Sequence, residues 1–582
     1  MSKTKKDRLK QSTRGRRPLV GSHSEEDRAA LTLKQEVRAI LTSGLRFPEN
    51  EDALAVAIRK ALNHIGQFYR TENGMPLFFR NRNHRLYDVL GRADSEFGRL
   101  VTYLCDVSSR MVKITRCLDR IQAEVCQMAD TVTVHALAYN SDDGRIIAVN
   151  DFGGGMWYRE RGGQWAWKPN GSEGILFWAP PDFVEPWKPQ FSGNSEADEA
   201  ALEWFLDLPH FDENTLTEKD QRMLLRATLI APLFPCRNRT KPVAVHLGSR
   251  QQRQYDTGKT MAAKIIGTLW VGRKFEPVPV KRSSERGEEE LQLTLMNQPY
   301  VLLDNVDTAI PWLNDFLCTY ATGARPTRRK HYENTTLVYY EYRGRLCLTS
   351  RDPKFNREDV ASRTIPFRFK PLSPEERKTE WELLNPVAEK RNQIWAGILT
   401  IAAKVQDALP HLAPPALRGR LADFLAFGWC VGAACKEETQ WEGMADRLAL
   451  AQAGFAVDEA PIFSILTSIV RRGDVDEQPT SEFWKAIKTT GEAINVEPPR
   501  DAASCTKQVR ELRELIQLSL DVTITMRTLH GQTLIQITRG PSWALQEGVS
   551  EVTESEAFLE GDEKLVESNK ESTQSPSPRS PS

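Results

Sequence analysis

Apolar positions in the first third of the chain follow two different spacings. The segments "DALAVAIRKALNHIGQFY" and "MVKITRCLDRIQAEVCQMA" carry them at helical spacing and predict helices. The segments "TVTVHALAYN", "GRIIAVND", "GMWYRERGGQWAWKPNG" and "GILFWAP" are strand-like and contain or adjoin turn residues. Together they predict an N-terminal α+β domain over residues 31–195, with a Gly- and Trp-rich hairpin region.

The middle of the chain changes to short apolar strands that end in polar residues. "PVAVHLG" leads into a loop and an amphipathic helix in which Met261, Ile265 and Leu269 recur at helical spacing, so that one face packs on a sheet. "PYVLLDNVD", "GRLCLTS" and "TIPFRF" follow as further strands. This alternation predicts an α/β core over residues 196–405, with ligands at the carboxyl ends of its strands.

The last third is helical before it returns to strands. We predict a helical lid over residues 406–470 and a winged-helix-like module over residues 471–545. In that module "TKQVRELRELIQLSL" forms one helix and "DVTITMRTLHGQTLIQITRG" a β-hairpin. A protein–protein module with an ordinary charged surface is the alternative. In the winged-helix interpretation, the side chains that meet phosphates are Arg510, Arg513, Arg527 and Arg539.

Composition narrows the class of protein. A chain of 582 residues has room for about three or four domains at roughly 150 residues each, and 40% hydrophobic residues indicate packed cores. No stretch is apolar enough for a membrane span, so we do not expect a membrane protein. The nine cysteines are scattered and include no C-x-x-C pair, which argues against a zinc module and a disulfide framework and indicates a cytoplasmic protein.

Charge is zero overall but uneven at the two ends. Residues 1–30 are predicted to be a disordered tail that is basic at its start, and residues 546–582 an acidic, Ser/Pro-rich one. The basic tail could contact nucleic acid phosphates or could simply keep the protein soluble.

One motif carries candidate chemistry. A phosphate-binding loop reads G-x-x-x-x-G-K-[ST], and Gly258, Lys259 and Thr260 fit its end, but Arg253 stands where the first glycine belongs. The nearest earlier glycine is Gly248, so the match is either chance or a nucleotide site with a loop enlarged by "SRQQRQYD". The strand that ends at Asp304 favours the nucleotide site, because an acid there can hold the Mg²⁺ that the loop hydroxyl also contacts.

The order of motifs resembles P-loop ATPases of phages, plasmids and integrated bacterial elements, in the AAA+ and superfamily-3 helicase group, which are often partnered with primases. The resemblance extends over about residues 55–540. It rests on "VTVHALAY", "PNGSEGILF", "TGKT", "YVLLDNVDTAIPWLNDFLCTYATGARPTRRKHYEN", "LTSRDP" and "EDVASRTIPFRF". The fold that it implies is an α/β P-loop NTPase core of AAA+/superfamily-3 type.

The resemblance also implies an activity and residue roles. The activity is Mg²⁺-dependent ATP hydrolysis by a homo-oligomeric ring, a hexamer, that works on single-stranded or forked DNA with a primase as a further partner. Arg363 would act in trans on a neighbour's γ-phosphate, or would instead pair with Glu358 or Asp359. The remaining roles are nucleotide binding by Gly248, Thr257, Gly258, Lys259 and Thr260, metal binding by Thr260 and Asp304, sensing by Thr349 or Ser350, and DNA binding by Arg325, Arg328, Arg329 and Lys330. The alternative for the last four residues is an ordinary solvated loop.

One position departs from the family's pattern at the attacking water. Many AAA+ ATPases have Glu directly after the metal-binding Asp, whereas this chain has Asn305, which can orient water but cannot accept its proton. Asp307 follows two residues later. Two alternatives to a motor therefore stay open: a DNA-binding or assembly protein with a decayed site, and a nucleotide-gated switch that hydrolyses ATP slowly.

Overall fold

A computed structural model describes most of the chain. The described residues are 25–44, 48–108, 112–213, 215–248, 257–280, 284–306, 310–324, 327–329, 337–339, 341–350, 357–417, 419–457, 461–529 and 531–540. They divide into two compact units. The first unit contains the described residues up to Lys188 together with 327–329 and 337–339, and the second contains the others.

The first unit combines a helical layer with small sheets. Its helices pack around a core that includes Leu54, Ile58, Phe78 and Phe97. The sheets have the strand orders β3-β2-β1-β4, β6-β7-β8-β9 and β10-β5. The elements up to residue 188 are α1 (Glu25–Thr42), α2 (Glu49–Ile65), β1 (Gly66–Thr71), β2 (Pro76–Arg80), β3 (Arg85–Asp88), α3 (Glu96–Cys105), α4 (Val112–Met128), β4 (Asp130–Val132), β5 (Val134–His135), β6 (Ala138–Asn140), β7 (Ile146–Asn150), β8 (Gly155–Glu160), β9 (Ala166–Pro169) and β10 (Leu176–Phe177).

The first predicted helix is shorter than its apolar pattern suggests. It ends at Ile65, and "GQFYRT" forms β1 instead of continuing the helix. A Cβ at Gly66 would lie 2.1 Å from the carbonyl oxygen of Phe79 on the neighbouring strand β2. The close approach of that strand, which only glycine allows, ends the helix where propensity alone would extend it.

The second unit begins with an α/β layer and ends with helices and a small sheet. None of its described helices, nor any described elsewhere in the chain, has the length and apolar character needed to cross a bilayer. In chain order, with the hairpin β13–β14 of the first unit included, the remaining elements are α5 (Ser195–Leu206), α6 (Glu218–Ile230), β11 (Val243–Gly248), α7 (Lys259–Val271), α8 (Ser284–Asn297), β12 (Tyr300–Leu303), α9 (Pro311–Ala321), β13 (Thr327–Arg329), β14 (Leu337–Tyr339), β15 (Arg345–Thr349), α10 (Glu358–Ala361), β16 (Thr364–Phe369), α11 (Glu380–Ala408), α12 (Ala422–Ala434), α13 (Glu438–Val457), α14 (Pro461–Val470), β17 (Val475–Pro479), α15 (Thr480–Ala493), α16 (Ala502–Glu511), α17 (Arg513–Leu520), β18 (Val522–Leu529) and β19 (Gln532–Arg539).

The sheet of the α/β layer is parallel, with the order β12-β15-β11-β16. Strands β12 and β15 are buried almost throughout, as predicted for strands covered on both faces. Helix α7 differs from the prediction of a single packed face. It is buried nearly all round, because the Trp270 and Trp395 rings pack edge to face, with centroids 5.2 Å apart, between α7 and α11.

Helices α5 and α11 touch at a glycine, and this contact gives a stability prediction. A Cβ at Gly397 would lie 2.5 Å from the Asp198 carbonyl oxygen and 2.8 Å from the Leu202 Cβ. We expect Gly397→Ala to destabilise the second unit by about 1–3 kcal/mol, because backbone cannot move aside cheaply, and this exceeds the gain of about 1 kcal/mol in helix propensity. The measurement is the melting temperature of the purified chain.

The matched control for this prediction is Gly432→Ala in α12. There a Cβ would lie 3.4 Å from the Glu437 carbonyl oxygen and from the Trp441 Cβ, which is ordinary van der Waals contact. Its melting temperature should stay unchanged or rise. Equal losses in both variants would contradict the packing explanation.

The C-terminal region contains the predicted hairpin and one further strand. Strands β18 and β19 pair antiparallel as expected, and β17 adds to β19 as a third strand. The predicted single helix is two helices, α16 and α17, that meet at Leu512. The element order from α14 to β19 fits a winged helix, and that assignment stays a prediction.

Candidate nucleotide-binding site

Three parallel strands bring the predicted site residues to one edge of the sheet. Strand β11 ends at Gly248, β12 ends directly before Asp304, and β15 ends at Thr349. Because these strands are parallel neighbours, their carboxyl ends lie at the same edge. Helix α7 begins there at Lys259 and turns its amide groups toward that edge.

The lysine, the hydroxyl and the acid of the motif lie together. The Thr260 Oγ1 donates to the Asp304 Oδ1 at 2.8 Å. The Lys259 Nζ donates to the main-chain oxygen of Ser350 at 3.0 Å. The fold therefore brings the side chains of Thr260 and Asp304, 44 residues apart in the chain, into direct contact.

The residues after β12 and β15 are joined by a second set of hydrogen bonds. The Thr349 Oγ1 donates to the Asp304 Oδ1 at 2.6 Å and accepts from the Asn305 amide at 2.8 Å. The Ser350 Oγ donates to the Val306 carbonyl at 3.0 Å. Thr349 and Ser350 are both buried, so these bonds hold the Asp304 carboxylate in one orientation.

Asn305 has an exposed side chain on a left-handed backbone, with φ of +52°. Asparagine adopts this conformation more readily than most other residues. The backbone therefore gives a physical reason for asparagine at this position. Asp307, the other residue considered for the attacking water, lies outside the described residues.

The two ends of the loop between β11 and α7 lie close together. A Cβ at Gly248 would lie 3.4 Å from the Thr257 side chain, so the two ends of the inserted loop are neighbours. Gly258 has φ of +67° at the start of α7, which a side chain would make strained. Residues 249–256, including Arg253, lie outside the described residues.

His246 belongs to this arrangement although sequence reasoning did not select it. Its ring is buried against Phe367 and Phe369, and its Nδ1 lies 3.2 Å from the Lys259 carbonyl oxygen, in the first turn of α7. Burial lowers the pKa of His246 to about 4, so the ring is neutral and its Nδ1–H can donate to that carbonyl. The only signal in the sequence is a histidine within an otherwise apolar strand.

The lowered pKa of His246 predicts a loss of stability in acid. The folded pKa of about 4 lies below the ordinary 6.5, so the unfolded chain binds the proton more readily and stability falls as pH drops below 6.5. Between pH 7 and pH 5 this histidine should contribute a loss of about 2 kcal/mol. The measurement is the melting temperature at both pH values.

The variant His246→Gln keeps a hydrogen-bond donor but does not titrate. Its melting temperature should depend less on pH than that of the native chain. Replacement of the exposed His411 by Gln is the control and should leave the pH dependence as it was. An unchanged dependence in His246→Gln would contradict the assignment of the titration to this ring.

The oxygen ligands at this sheet edge can be compared with those that Mg²⁺ and a nucleotide require. Mg²⁺ prefers hard oxygen ligands, usually one or two protein groups together with phosphates and water. The Thr260 hydroxyl and the Asp304 carboxylate, 2.8 Å apart, are such a pair beside an ammonium group and a helix N-terminus. The residues present therefore fit a magnesium nucleotide.

Arg363 lies at the opposite edge of the sheet. It directly precedes β16, and its carbonyl accepts from the Val243 amide at the start of β11. Its guanidinium donates to the main-chain oxygen of Asp359 and lies 3.7 Å from the Cys318 Sγ. The carboxylate of Asp359 also pairs with Arg357, and the side chain of Glu358 lies outside the described part, so the ion pair of Arg363 with Glu358 or Asp359 stays an alternative prediction.

The predicted DNA-contact residues are only partly described. Strands β13 and β14 pair antiparallel and confirm a hairpin in this interval. Arg328 and Arg329 lie in β13, and nothing about their side chains is described. Arg325 and Lys330 lie outside the described residues. Their contact with DNA stays a prediction.

Two arginines of the C-terminal region are paired within it. Arg527 forms an ion pair with Glu477, and the Arg539 Nε lies 3.2 Å from the Asp474 carboxylate. This pairing reduces the positive charge that they can offer to phosphates. Phosphate contact by Arg510, Arg513, Arg527 and Arg539 stays a prediction.

Comparison with known proteins gives one family match. Residues 219–439, less than half of the chain, match the model of the actinomycete integrative conjugative element replication protein family. This segment contains the whole parallel sheet and the site at its carboxyl edge. A DNA-acting replication function fits this match, which supports the predicted resemblance to replication proteins of integrated elements at that level. No curated protein matches the chain.

Two solved structures align with the chain at low similarity. The apo C-terminal region of NrS-1, residues 305–718, aligns at 11% identity and a TM-score of 0.32, covering 83% of this chain and 98% of that one. Cdc6p from Pyrobaculum aerophilum aligns at 14% identity and a TM-score of 0.16, covering 61% and 98%. Both TM-scores are too low to establish a common overall fold.

Proposed function

We propose that the chain is a Mg²⁺-dependent ATPase that acts on DNA in the replication of a mobile genetic element. The observation that carries this proposal is the contact between the Thr260 hydroxyl and the Asp304 carboxylate beside Lys259, at the carboxyl edge of a parallel sheet. The family match over residues 219–439 supports the link to replication. A homo-oligomeric ring, a hexamer, and a primase partner belong to the same proposal.

The residues of the site would each perform one task. Lys259 would release Ser350 and neutralise the β- and γ-phosphates, and the amides at the start of α7 would bind phosphate oxygens. Thr260 and Asp304 would hold Mg²⁺, which when bound offsets the charge that develops on the transferred phosphoryl group. Thr349 would keep the Asp304 carboxylate oriented through its 2.6 Å hydrogen bond.

A second candidate, a nucleotide-gated switch with slow hydrolysis, is favoured by Asn305. Its exposed amide can orient an attacking water, but it cannot take up a proton. In this alternative the chain binds ATP and assembles on DNA, and slow ATP hydrolysis ends the assembled state.

The test is ATP binding and hydrolysis by the full chain with Mg²⁺, with and without single-stranded DNA. Turnover that rises with DNA supports the motor. Tight binding with little turnover in either condition supports the switch. If ATP neither binds nor is hydrolysed, the enzyme proposal fails and a non-enzymatic DNA-binding or assembly protein is left.

The place of Arg363 predicts complementation between subunits. Since it lies at the edge opposite its own nucleotide site, it would serve a neighbour in a ring. We expect Arg363→Ala to reduce turnover about 10³-fold or more while ATP binding persists. Mixing it with Lys259→Ala should restore part of the turnover, because a mixed ring contains interfaces with one intact site and one intact arginine.

The control is Arg357→Ala. It removes an exposed arginine that pairs with Asp315 of α9 and Asp359 of α10. Its turnover should stay close to that of the native chain. A mixture of the two inactive variants that remains inactive would contradict a role in trans.

A further inference from the structure

A cavity of about 220 Å³ lies within the first unit. Three segments supply most of its wall: residues 83–85 between β2 and β3, 150–154 between β7 and β8, and 178–186 after β10. The predicted functions assign nothing to this region.

The wall is held rigidly by two buried asparagines. The Asn150 Nδ2 donates to the Trp178 carbonyl at 2.8 Å, and its Oδ1 accepts from the Phe152 amide at 2.9 Å. The Asn170 Nδ2 donates to the His84 carbonyl at 3.0 Å. His84 and Phe152 have φ of +51° and +64°, a conformation that is costly for such residues and is retained most often at functional sites.

Two polar atoms of lining residues are buried without a hydrogen bond in the described part of the chain. They are the Oδ1 of Asn83, an acceptor, and the Nε of Arg85, a donor. The other ends of both side chains are used: the Asn83 Nδ2 donates to the Tyr87 hydroxyl at 2.9 Å, and the Arg85 Nη1 to Asp182 at 2.6 Å. Both atoms are fully buried, and buried polar groups are normally paired, so these two add to the strain stored in this part of the wall.

The charges around the cavity favour a neutral ligand. The guanidinium of Arg85 faces two carboxylates, Asp182 at 2.6 Å and Glu96 at 3.3 Å, so its positive charge is already balanced. The rings of Phe152 and Trp178 supply apolar and aromatic surface. An uncharged, flat heterocycle matches this balanced charge and aromatic surface, and a nucleobase is such a group.

The turn between β7 and β8 fixes the aromatic ring of Trp167. The Asp151 carboxylate accepts from the amides of Gly153 and Gly155 and, at 2.7 Å, from the Trp167 Nε1. The indole lies against Gly155, where a Cβ would be 2.3 Å from the ring, yet Trp167 remains 50% exposed. Exposed aromatic rings in fixed positions are platforms on which the bases of single strands stack.

We propose that the first unit binds single-stranded DNA by taking one unstacked base into this cavity while a neighbouring base stacks on Trp167. The inference rests on the proposed function in one respect, that the chain acts on DNA. It does not require ATP hydrolysis. Phe152 and Trp178, which line the cavity, would contact the face of the base.

The test measures binding of a fluorescent single-stranded oligodeoxynucleotide to the full chain without ATP. We expect Trp167→Ala to weaken binding about ten-fold or more. Phe152→Leu keeps most of the buried volume but removes the aromatic face, and it should weaken binding as well. Trp381→Ala is the control, because Trp381 is an exposed tryptophan of the second unit (69%) and its loss should change nothing.

A second readout does not depend on the folding of variants. An oligodeoxynucleotide that carries 5-iododeoxyuridine is photo-crosslinked to the native chain, and the modified peptides are mapped. Crosslinks at Phe152, Trp167 or Trp178 support the proposal. Crosslinks confined to other parts of the chain, or unchanged affinity in both Trp167→Ala and Phe152→Leu, overturn it.

A competition arm separates a strand from a free nucleotide. A deoxynucleoside monophosphate that displaces the oligonucleotide at equal or lower concentration would overturn the assignment to single-stranded DNA. Basal ATP turnover without DNA is measured on the same variants and should not change. A chain that hydrolyses ATP but fails the binding test loses only this inference, whereas one that crosslinks at the cavity without ATP turnover loses only the ATPase proposal.

Discussion

Replacement of Lys259 by Ala is expected to cause a large loss of ATP turnover. The Nζ of Lys259 lies at the sheet edge, 3.0 Å from the Ser350 carbonyl, where it can move to phosphate oxygens. Loss of a charged donor to the phosphates should weaken ATP binding about ten- to hundred-fold. The loss of transition-state stabilisation should lower turnover about 10²- to 10³-fold. The measurements are ATP affinity and steady-state hydrolysis with Mg²⁺, with and without single-stranded DNA.

The control for this variant lies on the same helix. The Lys264 Nζ lies 2.8 Å from the Glu380 carboxylate of α11. No phosphate contact is proposed for this lysine. Lys264→Ala should bind and hydrolyse ATP like the native chain. Equal activity in native protein and Lys259→Ala would remove the nucleotide site proposed at α7.

The second large effect is expected from Asp304→Asn. An amide oxygen at this position can still accept from the Thr260 and Thr349 hydroxyls, which now donate to the Asp304 Oδ1 at 2.8 and 2.6 Å, so the fold should persist. The negative charge that holds Mg²⁺ is lost. We expect turnover to fall about 10²- to 10³-fold and the gain in ATP affinity on addition of Mg²⁺ to disappear.

The readout that isolates the metal is ATP affinity with Mg²⁺ and with EDTA. Native protein should bind ATP more tightly with Mg²⁺, whereas Asp304→Asn should bind equally in both conditions. Asp315→Asn, which changes an exposed acid paired with Arg357, is the control and should behave like the native chain. A persistent Mg²⁺ effect in Asp304→Asn would show that other groups hold the ion.

Several elements could be predicted from local pattern because their burial is strong. The strands that end at Gly248, at Leu303 and at Thr349 are short apolar runs followed by polar residues, and all three form where expected. Helix α7 also forms, but its amphipathic pattern predicted a single packed face, whereas the helix is buried nearly all round. A helix packed on a sheet by one face and on α11 by the other has no polar face, and only the position of α11 decides this.

The amino-acid sequence by itself determined which residues stand at strand ends and which spacing joins Gly258, Lys259 and Thr260, because these follow from residues adjacent in the chain. Only the tertiary structure decided that Thr349 orients Asp304, that His246 lies beneath the first turn of α7, and that Arg363 lies at the opposite edge. It also decided the cavity of the first unit, where three segments distant in the chain meet. The physical reason is that hydrogen bonds and close packing between residues far apart in sequence depend on strand order, on which local periodicity carries no information.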